Sequence, residues 1–166
     1  MILLGDVLYH GPRNPLPEGH DPKKVAELLN KYSDKIIGCR GNCDAEVEEM
    51  VLNFPILSSY SLVVDQGTKI FCTHGHIYAP ERADGKIAVE GSKIPALGNL
   101  GVVFYGHTHV QVLEKNKAGL IVCNPGSISL PKGGSPAGFA IYESYAHSAR
   151  ISLYDLAGNI LKEESF

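Results

Sequence analysis

Four times in this chain an apolar run ends in a glycine-associated cluster of Asp, Asn or His. Ile2–Leu4 leads into Gly5-Asp6, and KIIGC leads into the GNCD of residues 41–44. IFC leads into the THGH of residues 73–76, and VVFY leads into the GHTH of residues 106–109. Short apolar strands are rigid, and in open α/β sheets the loops at their ends converge on one crevice. Asp, Asn and His together offer carboxylate oxygen, amide oxygen and imidazole nitrogen, a donor set suited to Mn²⁺, Fe or Zn²⁺. Each cluster alone has a plainer reading. An Asp after a strand is usually a turn former, Asn42 after Gly is a turn residue, and one strand-end His is usually hydrogen-bonded or on the surface. The conjunction of all four points to a metal site.

The rest of the chain supports an α/β layout. DPKKVAELLNKYS reads as a helix with Asp21 as N-cap, Pro22 at its first position, and Val25, Leu28, Leu29 and Tyr32 as an apolar stripe. Asp44 reads as the N-cap of a second helix, AEVEEMVLNF, whose Glu46 and Glu48 suit a helix start. Beyond Tyr60 the pattern becomes strand-rich. SLVVD and TKIFC flank Gln66-Gly67 as a hairpin, and VQVLEK and GLIVCN flank Asn116-Lys117-Ala118 as another. Residues 79–97 read as a long mixed connection with room for a short helix. GFAIYES and ARISLYDLAGNIL supply the last strands, with a turn near Ala157-Gly158. Strand–helix alternation followed by strands predicts α/β layers with at least two sheets. No repeat or linker divides residues 1–166, so a single domain is expected.

Composition narrows the function. At 166 residues and 44% hydrophobic, the chain can bury a sizeable core. A net charge of −3 gives no basic excess for nucleic-acid phosphates. No apolar run approaches the roughly 20 residues of a membrane span, and no signal segment opens the chain. Cys39, Cys43, Cys72 and Cys123 match neither a disulfide framework nor a paired-thiolate zinc site, so a reducing cytoplasm is expected. His20 and His147 read as surface residues. His10 lies in the loop that follows Asp6, and His76 adjoins a candidate ligand, where it would face a substrate.

The ordered set G-D-x-x-x-x-G, G-N-C-D, T-H-G-H and G-H-T-H resembles the calcineurin-like metallophosphoesterase superfamily. Within it, the chain resembles the small bacterial phosphodiesterases of the YfcE type. GDVLYHGPRNPLPEGH, RGNCDAEVEEM, FCTHGHIY, YGHTHVQV and NPGSISLPKGG carry the similarity over nearly the whole chain. The resemblance implies a four-layer αββα sandwich of two mixed β-sheets with a dinuclear centre at the strand ends. Carried over by motif, Asp6 would bridge two divalent cations. Asn42, His74 and His107 would complete one site, and His109 would belong to the other. Mn²⁺ is the first expectation, with Fe, Zn and Ni as alternatives. The implied reaction is hydrolysis of a small phosphodiester by a metal-bridging hydroxide. Many members have His where this chain has Cys43, and a thiol is a poor general acid near neutral pH. His76 is the alternative proton donor. Arg40 and Arg13 are the cations that could face phosphoryl oxygens.

One family motif is absent from these residues. D-x-H would supply an Asp and a His to the cation shared with His109, yet no Asp in the chain is followed by His two positions on. The expectation is that this motif lies upstream, on a strand beside Ile2–Leu4. An uncovered edge and apolar face there would favour self-association into a homo-oligomer. The competing reading is a catalytically weak or inactive protein-binding scaffold of the same fold, like the retromer subunit that shares it. Retention of Asp6, Asn42, His74, His107 and His109 favours the enzyme, since a scaffold has no need of them.

Overall fold

A computed structural model describes residues 1–166. Strand β1 (Ile2–Leu3) pairs in parallel with β2 (Ile37–Gly38). Between them runs helix α1 (Pro22–Asn30). It starts where Asp21 accepts a hydrogen bond from the Lys24 amide at 3.1 Å, with Pro22 in the first turn. The second helix, α2, is a single turn, Glu46–Glu49, much shorter than the expected run over residues 45–54. Leu52, Phe54 and Ile56 leave the helix and enter the core as irregular chain around Pro55.

The strand-rich half follows its turn chemistry. β3 (Tyr60–Asp65) and β4 (Thr68–Thr73) pair antiparallel, with Asp65 opposite Thr68. Gln66 and Gly67 both take positive φ, +46° and +83°, as a two-residue hairpin turn requires. β5 (Val102–Tyr105), β6 (Gln111–Lys115) and β7 (Ile121–Pro125) complete a five-stranded mixed sheet ordered β3-β4-β5-β7-β6. β8 (Gly138–Tyr145), β9 (Ser148–Asp155) and β10 (Ile160–Ser165) form a three-stranded antiparallel sheet. The 79–97 connection contains no helix. Isolated bridges Tyr78–Lys93 and Glu81–Ile87 hold it instead.

Two cores result. Ile70, Cys72, Val102, Phe104, Leu113 and Cys123 of the larger sheet meet Ile151 and Leu153 of the smaller one. Ala26, Ile36, Leu52, Phe54 and Ile56 form the second core beneath α1, with Leu3 and Leu29 packed against it. The architecture is α/β, with sheet facing sheet and both helices in the N-terminal half. It departs from the layered expectation in detail. Hydrogen bonding separates β1-β2 from the mixed sheet, the smaller sheet is purely antiparallel, and no α-helix follows residue 49. The stripe on α1 is also rotated. Ala26 and Leu29 face the core, whereas Val25, Leu28 and Tyr32 are exposed. A small Ala lets the helix backbone approach the core, and that contact outweighs the larger side chains' spacing. No helix is long and apolar enough to cross a membrane.

Candidate metal centre

The site begins with a strained turn. After β1 the chain passes through Gly5 at φ +91° and Asp6 at φ +53°, a left-handed conformation uncommon outside glycine that Asp adopts more readily than most residues. Asp44 holds it there. Its carboxylate accepts hydrogen bonds from the amides of Asp6 (2.9 Å), Val7 (3.1 Å) and Gly41 (2.7 Å). Asp44 therefore ties the GD loop to the GNCD loop and is not the N-cap of α2. Ala45 occupies the cap position, and Glu48 accepts its amide at 2.7 Å. Gly41 must lack a side chain, because a Cβ there would run into the carboxylate and amide of Asp6. The Cys43 amide then donates to Asp6 Oδ1 at 2.9 Å, leaving Oδ2 to face the histidines.

Four lone-pair atoms converge at this turn. His74 Nε2 lies 3.1 Å from Asn42 Oδ1, 3.1 Å from His107 Nδ1 and 3.4 Å from Asp6 Oδ2. His107 Nδ1 lies 2.9 Å from Asn42 Oδ1. Ligands about 2.1 Å from one cation stand about 3.0 Å apart in octahedral and about 3.4 Å apart in tetrahedral geometry. The observed spacings match those edges, so the residues present fit a divalent cation. Asn42 Oδ1 lies within 3.1 Å of both histidines and joins them in the cluster.

Backbone carbonyls orient the rings. His74 Nδ1–H donates to Leu4 O at 2.6 Å, which leaves Nε2 unprotonated toward the cluster. His109, 8% exposed, donates Nδ1–H to Leu130 O at 2.8 Å and likewise keeps Nε2 as a lone pair. His107 and His109 both sit at positive φ, +64° and +59°. Buried Asn124 shapes their turn by donating to Gly106 O (2.8 Å) and Thr108 Oγ1 (3.0 Å). Burial pushes His107 and His109 below the usual imidazole range, favouring the neutral form that ligates. Burial pushes Asp6 upward, but hydrogen bonds from His74 and Cys43 outweigh it and hold the carboxyl below its ordinary value.

The other expected residues divide. The His76 ring lies 5.2 Å from that of His74 and 6.3 Å from that of His107, centroid to centroid. Its buried Nδ1 has no hydrogen-bond partner. The Cys43 thiol is pushed up to about 11, first by burial and then by the charge of Asp6. The Cys43 amide donates to Asp6 Oδ1, the thiol also stands against the Asp6 carboxylate, and the sulfur accepts from Asn42 Nδ2 at 3.1 Å. Arg40 Nε donates to Asp44 O at 3.2 Å and braces that turn. Arg13 is exposed. His20 is not a plain surface residue. Its ring stands 6.4 Å from His10, whose ring stands 6.4 Å from His109. Sequence reasoning missed the roles of Asp44 and Asn124. Both lie inside quoted motifs, but their partners are distant along the chain.

Comparison with known proteins agrees with the geometry. Residues 1–146 match the calcineurin-like phosphoesterase superfamily domain. Phosphodiesterase YfcE of Escherichia coli K12 is 45% identical over 144 residues, covering 87% of this chain and 72% of that protein. The solved structure of E. coli YfcE, described as a phosphoesterase, superposes with a TM-score of 0.84 at 40% identity, over 98% of this chain and 81% of that one. Vacuolar protein sorting 29 from Cryptosporidium parvum shares the fold alone: TM-score 0.61 at 17% identity, over 99% of this chain and 96% of that one. The chain belongs to the calcineurin-like phosphoesterase superfamily and is a metallophosphoesterase.

Proposed function

We propose that this chain hydrolyses phosphodiesters at a dinuclear divalent-metal centre, with Mn²⁺ as the preferred ion. The observation that supports it most is the convergence of Asp6, Asn42, His74 and His107 donor atoms at 2.9–3.4 Å. Those four residues would hold one cation, and Asp6 with His109 would contribute to the other. Bound there, divalent cations would lower the pKa of a water and offset charge on phosphoryl oxygens.

The chain's own residues do the rest. Asp44 and Arg40 hold the Asp6 and Asn42 loops in register. Leu4 O and Leu130 O keep His74 and His109 in their ligating tautomers. Cys43, with its thiol near 11, is too weak an acid to protonate an alkoxide leaving group efficiently. His76, whose ring stands 5.2 Å from that of His74 and whose Nδ1 has no hydrogen-bond partner, is the better-placed proton donor. Four unpaired cysteines suit a reducing, cytoplasmic setting.

The test is turnover of bis(4-nitrophenyl) phosphate by the purified chain with Mn²⁺, with EDTA, and in Asn42→Ala and His74→Ala variants. Mn²⁺-dependent turnover, lost by at least a hundred-fold in both variants, is expected. A folded chain that binds Mn²⁺ yet turns over no phosphodiester would defeat the reading and leave the scaffold role.

A further inference from the structure

The NPGSISLPKGG stretch that follows β7 is built around His109. Ser127 Oγ accepts the amides of Leu130 (3.0 Å) and Ser129 (3.4 Å), and that turn aims Leu130 O at His109 Nδ1–H, 2.8 Å away. Two residues on, the Lys132 amide donates to His109 O at 2.9 Å, and Lys132 O accepts the Ser135 amide at 3.1 Å. The backbone of Lys132 is therefore fixed on a residue assigned to the centre. Its side chain is held as well. Nζ donates to Asn14 Oδ1 at 3.0 Å, and Asn14 Nδ2 in turn donates to His10 O. The neighbouring Ser129 hydroxyl meets His10 Nε2 at 2.9 Å, and the His10 ring stands 6.4 Å from that of His109.

Lys132 is thus a positioned cation without a counter-charge. It enters no salt bridge. Asn14 is a neutral acceptor that takes one of the three ammonium N–H groups, and the protein claims neither of the others. Its charge reaches the centre. Burial is the first cause that depresses His10 and His109, and the Lys132 charge adds to the depression of both. Arg40, by contrast, already donates its Nε–H to Asp44 O.

We propose that Lys132 is a substrate-binding residue whose ammonium takes a non-bridging phosphate oxygen at the His109 side of the centre. The proposal rests on the phosphodiesterase reading above, which gives Lys132 no part. Inorganic phosphate is the probe, titrated calorimetrically into the chain with and without Mn²⁺. Lys132 is exposed, so Lys132→Met should fold. It should weaken phosphate binding by on the order of ten-fold, the scale of one charge-assisted hydrogen bond. Mn²⁺ affinity should stay unchanged, and Lys132→Arg, which keeps the charge, should retain most of the phosphate affinity.

In turnover, Lys132→Met should raise KM for bis(4-nitrophenyl) phosphate with little change in kcat, and should relieve inhibition by phosphate. Equal phosphate affinity in Lys132→Met and the parent would overturn the proposal and spare the phosphodiesterase reading. A parallel fall in Mn²⁺ affinity would also overturn it and would make Lys132 a brace for His109 alone. Lys132-dependent phosphate binding in a Mn²⁺-loaded chain that hydrolyses no diester would spare the anion site and defeat the phosphodiesterase reading.

Discussion

Replacing Asp44 by Ala should damage both stability and metal binding, although Asp44 donates no atom to the metal cluster. Its carboxylate is 3% exposed and satisfies three backbone amides, at Asp6, Val7 and Gly41. Truncation leaves all three without a partner. An orphaned buried donor costs about 1–3 kcal/mol; two of these three are only part-buried and regain water, so the loss should be about 3–5 kcal/mol. That is a large share of the roughly 5–15 kcal/mol that keeps a domain folded. Asp6 at φ +53° would lose its clamp and relax toward ordinary backbone, turning Oδ2 away from His74. Mn²⁺ affinity should fall at least about ten-fold, as for other partners that orient metal ligands. Urea unfolding in EDTA measures the first effect and titration calorimetry with Mn²⁺ the second. Asp44→Asn, which keeps one acceptor oxygen, should fall between. An Asp44→Ala chain within about 0.5 kcal/mol of the parent and with unchanged Mn²⁺ affinity would refute the clamp.

Gly41→Ala should abolish Mn²⁺ binding by calorimetry, because the new methyl would displace the Asp6 carboxylate; a parent-like binding isotherm would refute that packing. In EDTA the chain should lose stability as pH falls. Burial holds His10, His76, His107 and His109 below the ordinary 6.5, so the unfolded chain binds protons first. Their contribution is present above about pH 6.5 and is lost on acidification below it; a urea midpoint that is flat or rises from pH 7.5 to pH 5 would contradict this. Cys43→Ser should keep phosphodiesterase activity within about three-fold, since a thiol pushed up to about 11 is too weak an acid to carry the proton and a hydroxyl can keep the polar contacts to Asp6 and Asn42. A loss of a hundred-fold or more would restore a chemical role to the thiol.

Local features of this protein were legible because they depend on neighbours in the chain. Asp21 before Pro22 starts α1 through a bond three residues away. Gln66-Gly67 closes the β3–β4 hairpin because only positive φ lets two twisted strands meet. Each of the four polar clusters follows a short apolar strand or run, and their residue types alone named the donor set. The same local logic failed at Asp44. An Asp before Ala-Glu-Val-Glu reads as a helix cap, but the amides that claim its carboxylate include those of Asp6 and Val7, 38 and 37 residues away. It failed again on α1, where contact with Leu52, Phe54 and Ile56 chose Ala26 and Leu29 as the inner face. Periodicity and capping are short-range and written in consecutive residues. Strand order, the sharing of Asn42 among two histidines, and the path from His109 through His10 to His20 depend on segments brought together only by folding, so the tertiary structure alone decided them.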